Sequence, residues 1–333
     1  MKLVLFNIIG SKKNGTGHVY RALSLAKEIK ANYKVIFVTT NNQKLAIKNL
    51  NETNYKFFSY PKKKLYNKIL SLKPTVVIND ILSTKKEDIQ LLKNKKIKVI
   101  NFEDLGDGSR YADLTINEIY EKPKSKIKNK KIIWGKKFFF IREEFLKQKK
   151  NKFKKIKNVL LFFGGSDPNN LTLKTLKSIY KSATNHCVNI IIITGIGYKN
   201  ETTLNKFIKE KNNINLIRNT KKISNYMKKC QIAFTSNGRT TYELAHMNIP
   251  SIVISHNLRE SQHKFATFVN GFINLGRYQK KIFSYKKLNL KFIELISDQL
   301  NYKKLYNSML KINFRLGRDR VKKEINKINK LFV

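Results

Sequence analysis

Short apolar runs alternate with amphipathic stretches along both halves of the chain. In the first half, runs rich in Val, Ile, Leu and Phe predict strands over 3–8, 34–38, 75–78, 98–102 and 114–116. Between them, apolar positions recur three and four residues apart and predict helices over 22–30, 43–50, 65–72 and 87–93. The second half repeats the design, with strands expected over 159–163, 188–193, 214–217, 232–235 and 251–254. Continuous apolar runs suit strands buried on both faces, so the pattern predicts parallel sheets covered by helices on each side. The expected fold class is α/β, with two Rossmann-like domains facing across a cleft that would hold the ligand. The lysine-rich stretch 147–157 lacks apolar periodicity and reads as a linker. That places an N-terminal domain over 1–146 and a C-terminal domain, with the terminal helices, over 158–333. Beyond residue 302, Leu305, Met309, Ile312, Ile325 and Ile328 keep helical spacing, and by fold analogy a terminal helix could return to the first domain.

Three strand-to-helix junctions carry glycines and small hydroxyl residues, at the strand end where open α/β sheets bind ligands. The first is Gly15-Thr16-Gly17-His18-Val19-Tyr20-Arg21, where unhindered backbone N–H groups open a helix. His18 and Arg21, three apart, share one face of that helix. Imidazole can take a proton from water or a sugar hydroxyl, so His18 is the candidate base. Arg21 supplies a fixed cation. The second junction is Gly164-Gly165-Ser166-Asp167-Pro168, in which Asp167 reads as a helix N-cap with proline at the first helical position. The third, Ser236-Asn237-Gly238-Arg239-Thr240-Thr241-Tyr242-Glu243, would offer donors to a diphosphate and, one turn later, the Glu243 carboxylate to ribose hydroxyls. Asp80 and Glu103-Asp104 end strands of the first half; they would either cap the next turn or orient His18 and bind the sugar. His256, Asn257 and His263 follow the strand at 251–254 and are candidate sugar or base contacts.

Charge changes this picture little. The chain of 333 residues carries a formal charge of +47. Its lysines fall in nearly every loop and polar helix face, which resembles compositional bias more than a binding stripe. No nucleic-acid readout motif is present, so no specific nucleic-acid partner is expected. A basic surface would still attract anionic sugar nucleotides and anionic lipid head groups. The run Phe138-Phe139-Phe140 beside lysines could dock on an anionic membrane, although such a run also fits a core. Cys187 and Cys230 match no metal or redox spacing and read as buried small residues. With no apolar run near the roughly 20 residues needed to span a bilayer, and no signal-peptide pattern, a cytoplasmic monomer is expected. The spacing of acids and histidines fits no metal site, and no cofactor is expected.

Taken together these motifs resemble one group of proteins. Gly15-Thr16-Gly17-His18 with Arg21, Phe102-Glu103-Asp104, Ala112-Asp113-Leu114, Arg142-Glu143-Glu144-Phe145, Gly164-Gly165-Ser166-Asp167 and 236–243 occur in the same order in the bacterial hydrolases that release 2,4-diacetamido-2,4,6-trideoxy-L-altrose from UDP in pseudaminic acid synthesis. The chain is also similar to spore-coat polysaccharide proteins, through Ser236-Asn237-Gly238-Arg239 and Gly271-Phe272-Ile273-Asn274-Leu275-Gly276. The likeness covers about residues 1–280. It implies the glycosyltransferase B (GT-B) fold and metal-independent, inverting hydrolysis of a UDP-sugar, with transfer to an acceptor on the same scaffold as the alternative. In that scheme His18 is catalytic. Gly164, Gly165, Ser166, Ser236, Asn237, Gly238, Arg239 and Glu243 hold the UDP, and Gly17, Arg21, Asp80, Asp104 and Asn257 contact the sugar. The chain has Ile81-Leu82 where those hydrolases tend to carry a tyrosine.

Overall fold

The computed structural model describes residues 1–123 and 131–332. It begins with β1 (Leu3–Ile8), α1 (Gly17–Ile29), β2 (Lys34–Thr40), α2 (Lys44–Asn51), β3 (Lys56–Tyr60), α3 (Leu65–Ser71), β4 (Val76–Asp80), α4 (Lys86–Asn94), β5 (Lys98–Phe102), β6 (Leu114–Asn117) and β7 (Ile132–Trp134). It continues through α5 (Glu143–Leu146), β8 (Asn158–Phe162), α6 (Leu171–Asn185), β9 (Asn189–Thr194), α7 (Glu201–Ile208), β10 (Ile214–Arg218), α8 (Ile223–Met227), β11 (Ile232–Thr235), α9 (Arg239–Met247), β12 (Ser251–Ser255), α10 (Leu258–Ser261) and β13 (Phe272–Arg277). Three helices end the chain: α11 (Tyr285–Ser297), α12 (Gln299–Leu310) and α13 (Arg315–Asn326). No described helix is long and apolar enough to cross a membrane.

The chain divides into two compact units, Met1–Arg142 with Phe314–Val333, and Glu143–Asn313. The division therefore falls at Arg142/Glu143, and the basic stretch 147–157 lies inside the second unit rather than between the two. The last helix, α13, packs with the first unit instead of staying with the residues before it. Its Val321 and Ile325 are fully buried in the core shared with α1. Each such side chain contributes about 1.5–3 kcal/mol of burial, which the short helix could not obtain alone.

In the first unit all strands run parallel in the order β3-β2-β1-β4-β5-β6-β7. The second unit has the parallel order β10-β9-β8-β11-β12-β13. Both orders reverse once, between β1 and β4 and between β8 and β11, and such a switch point is where α/β sheets leave room for a ligand. The period-two alternation of strands sorts the first sheet's side chains. Phe6, Ile78, Ile100 and Ile116 pack with Val19, Ala22 and Leu25 of α1. Leu5, Val77 and Val99 pack on the other face with Ile69, Ile89 and Leu92 of α3 and α4. The run Phe138-Phe139-Phe140 is buried, so it belongs to a core and is no membrane contact. The two cysteines differ from expectation in one respect: Cys230 is buried, but Cys187 is exposed just past α6.

Candidate active site

Two residues beyond Ile78, Ile100 and Ile116, the same alternation carries Asp80, Phe102 and Glu118 onto the face that meets α1. Arg21 comes down from α1 into that position and is fully buried. Its Nε donates to Asp80 Oδ2 at 2.7 Å and its Nη2 to Asp80 Oδ1 at 2.5 Å, a bidentate grip. Its Nη1 donates to Glu118 Oε1 at 2.5 Å and also to Glu103 Oε1. The guanidinium lies over the Phe102 ring, 4.9 Å from its centroid. His18, one turn earlier on α1, sets its Nδ1 2.5 Å from Asp80 Oδ1. Since a carboxylate accepts, Nδ1 carries the proton and Nε2 is the nitrogen left to take one.

The electrostatics of this cluster follow from burial and partner charge. Burial alone would lower the Arg21 pKa, but Asp80, Glu103 and Glu118 outweigh it and hold the guanidinium well above its ordinary value. Burial likewise works against an ionised Asp80, yet Arg21 and then His18 overcome it, and the carboxyl is held below its usual range. Asp80 is thus held ionised down to lower pH, and it orients His18. Arg21 was expected to touch the sugar; with no exposed surface and its donors spent on three carboxylates, it is a buried hub instead. Glu118 was not anticipated. The signal was present, because Leu114, Ile116 and Glu118 keep one parity beyond the end of β6.

Asp104 also departs from expectation. Its carboxylate accepts from the Thr84 N–H at 3.0 Å, the Thr84 hydroxyl at 2.5 Å, the Asn101 amide at 2.7 Å and the Gly106 N–H at 2.8 Å. Burial nonetheless raises its pKa, against those four bonds. It pins two loops, and it also lines a pocket beside Leu105, Asp107, Arg110 and Tyr111. From it a ladder of buried amides crosses the sheet: Asn7 donates to Asn79 at 2.9 Å, and Asn79 to Asn101 at 2.9 Å. These three residues are register partners on β1, β4 and β5.

In the second unit Gly164–Ser166 follow β8 and 236–238 follow β11, on either side of the switch point. Gly164 takes φ +86°, a region costly for any residue with a Cβ, and a Cβ there would lie 4.0 Å from Ser236 Oγ. A Cβ added at Gly238 would lie 3.9 Å from the same hydroxyl. The structure therefore brings Gly164, Ser236 and Gly238 together. Gly165 is a packing position: a Cβ on Gly195 would sit 2.5 Å from its backbone. Helix α9 starts at Arg239 behind Gly238, which has no side chain to cap it, and the Thr241 N–H donates to Gly238 O at 3.2 Å. Glu243 is buried on its second turn. Thr235 Oγ1, Asn237 Oδ1 and Ser255 Oγ are buried at the same strand ends and make no hydrogen bond with any of the described residues.

Several expected contacts turn out to be structural. Asn257 caps α10 by accepting from the Glu260 N–H at 3.0 Å, so it is not aimed at a sugar. His256 Nε2 donates to Phe163 O at 3.0 Å, and His263 Nδ1 to Asn237 O at 2.6 Å, tying their loop to the glycine turns. Asp167 does cap α6, accepting from Leu171 N–H at 2.7 Å and Thr172 N–H at 2.8 Å. The helix begins only at Leu171, however, so Pro168 lies before it and not at its first position.

Residues 159–273 match the family model of the glycosyltransferase family 28 C-terminal domain. The chain is 32% identical over 268 residues to the uncharacterized protein MJ1062 of Methanocaldococcus jannaschii, across 74% of this chain and 54% of that one. It thus spans about half the length of that relative. The spore coat polysaccharide biosynthesis protein SpsG of Bacillus subtilis is 25% identical over 269 residues, 78% of this chain and 77% of its own. Among solved structures, MurG of Acinetobacter baumannii superposes with a TM-score of 0.67 at 16% identity, covering 99% of this chain and 100% of its own. The UDP co-structure of MnaA from S. aureus gives a TM-score of 0.67 at 14% identity, covering 99% and 98%. At such identities the likeness shows the fold alone: two parallel-sheet α/β domains, as in GT-B glycosyltransferases.

Proposed function

We propose that the chain is an enzyme of nonulosonic acid or surface-polysaccharide synthesis that releases UDP from a UDP-linked diacetamido-trideoxy sugar. One observation carries this reading. In both sheets the residues with candidate chemistry stand at the switch point: His18 and Asp80 after β1 and β4, Gly164–Ser166 and Ser236–Arg239 after β8 and β11. In this reading the second unit binds the nucleotide. The uncapped start of α9 faces the diphosphate, and the buried acceptors Thr235, Asn237 and Ser255 await donors from the nucleotide. His18 acts at the sugar. Its Nε2 takes a proton from water as the water oxygen bonds to the anomeric carbon. The bond from that carbon to the phosphate oxygen breaks, UDP leaves with the electron pair, and the configuration inverts. Asp80 keeps the ring in the required tautomer and stabilises the imidazolium that forms.

The same machinery serves transfer if a sugar hydroxyl replaces water, and the match of 159–273 to a glycosyltransferase domain favours that second reading. Purified protein incubated with UDP-linked diacetamido sugars and no acceptor separates the two. Hydrolysis predicts steady UDP release that His18→Ala abolishes. Release only after an acceptor is added selects transfer. Absence of UDP binding by calorimetry would sink both.

A further inference from the structure

We propose that Arg318, on the terminal helix α13, is a positioning residue for the His18–Asp80 pair. The proposal rests on His18 being the catalytic base. An unbroken set of contacts leads from one to the other. Arg318 Nη1 donates to Ile141 O at 2.7 Å, and its guanidinium lies 4.3 Å over the Phe140 ring. The Phe140 N–H donates to Glu118 Oε2 at 2.5 Å. Glu118 Oε1 accepts from Arg21, Arg21 grips both oxygens of Asp80, and Asp80 holds His18 Nδ1. Arg318 also pairs with Glu28 and donates to Ser24 Oγ at 3.3 Å, both on α1, the helix that carries His18 and Arg21.

Direct packing sets the height of this support. A Cβ on Gly317 would lie 2.2 Å from Phe139 O, so α13 rests on the backbone of 139–141 with nothing between them. If Arg318 lets go, the 139–141 segment loses the hydrogen bond at Ile141 O and the stack on Phe140, and keeps the packing of α13 on Phe139. The Phe140 N–H from which Glu118 Oε2 accepts moves with that segment, and the carboxylate follows it. Glu118 is joined by one bond to Arg21, which grips Asp80 with two, so a shift at one end reaches the Asp80 carboxylate. Cutting Arg318 therefore misaims the imidazole without removing any group that meets substrate.

The test uses the full chain with Arg318→Met and Arg318→Lys, and His18→Ala as reference. Two readouts are followed: UDP release, and the downfield proton resonance of the Nδ1–H···Asp80 bond, assigned by its loss in His18→Ala. We expect kcat to fall roughly ten- to a hundredfold in Arg318→Met, with KM unchanged, the scale of a small misplacement at the reacting centre. The resonance should shift or broaden. Arg318→Lys keeps the charge beside Glu28 but not the stack on Phe140, and should recover part of the loss. Wild-type kcat with an unmoved resonance in folded Arg318→Met overturns the proposal; if circular dichroism shows that variant unfolded, the same result in Arg318→Lys does so. Full activity in His18→Ala would instead refute the chemistry of the site, and the resonance would still decide whether Arg318 orients the ring.

Discussion

Replacing Arg21 with methionine is the sharpest test of the buried hub. Three carboxylates, Asp80, Glu103 and Glu118, would remain buried around an apolar side chain. Removing one partner of a buried ion pair typically costs about 3–5 kcal/mol, because the other charge is left uncompensated. For a unit of this size, each kcal/mol lowers Tm by about 2–4 °C, so a drop of about 6–20 °C is expected. The chain's single tryptophan, Trp134 on β7, makes fluorescence report on this unit's unfolding. The pH slope adds a second signature. In the native protein Asp80 is held below its usual range by Arg21 and His18 against the opposing effect of burial. Its contribution is therefore complete above the unfolded value of about 3.9 and is lost as pH falls through the folded value. Without Arg21 the largest counterweight to burial at Asp80 is gone and only His18 remains, so in the folded variant the Asp80 carboxyl moves up and takes up its proton before the unfolded chain does. Its stability should rise as pH falls from about 7 towards about 4, the opposite sign. A variant with native Tm and pH slope but a raised KM would refute the hub and restore Arg21 as a sugar contact.

Two further substitutions probe the sheet ends. Asn79→Leu removes the middle of the amide ladder and leaves Asn7 Nδ2 and Asn101 Oδ1 without their partner, at 1% and 0% exposure. At about 1–3 kcal/mol for each stranded group, the urea midpoint followed at Trp134 should fall by a matching amount; an unchanged midpoint would mean that the ladder is dispensable. In the second unit, Gly195→Ala drives a methyl against the backbone of Gly165 and should cost about 1–3 kcal/mol. Because Gly165 lies in the proposed nucleotide loop, UDP affinity should fall with it, and calorimetry showing native affinity would remove Gly165 from that loop's function.

The two sheets were legible because their central strands are buried on both faces and read as continuous apolar runs. Among the edge strands only β10 was anticipated, over 214–217; the other three lack such a run. β3 (Lys56-Phe57-Phe58-Ser59-Tyr60) is partly exposed, β7 has three residues, and β13 loses its apolar character after Leu275, so none was anticipated. His18 and Asp80 were legible from glycine turns and strand ends, but their mutual contact was not, since the partners lie 62 residues apart. Arg21 was misread for a related reason. Beside a glycine turn, an arginine looks the same whether it faces a phosphate or turns inward, and only the three acids converging from β4, β5 and β6 decide. Asp104 and Asn257 show the general form of the difficulty: local capping consumes a carboxylate or an amide as effectively as a ligand does, and spacing cannot tell which partner wins.

The uneven charge of the chain helps to locate its chemistry. Against 69 lysines and arginines there are 22 acids, and an acid gains most cheaply by pairing with one of many cations in solvent. Asp80, Glu103, Asp104 and Glu118 do the reverse, gathering buried at the ends of three neighbouring strands, and three of them, Asp80, Glu103 and Glu118, enclose Arg21. Solvated lysines change at little cost, so their abundance says little about function; a buried acid is retained only where its neighbours compensate it. The two populations should also respond differently to salt. Between about 0.05 and 0.5 M, the Debye length shrinks from roughly 14 Å to roughly 4 Å, screening the surface field that draws in an anionic nucleotide. Charges a few ångströms apart inside the protein are screened far less. We therefore expect KM for the UDP-sugar to rise severalfold across that range while kcat holds. A kcat that fell in step with the rising salt would show that the chemistry depends on the diffuse surface field, and the buried cluster would lose its claim to the site.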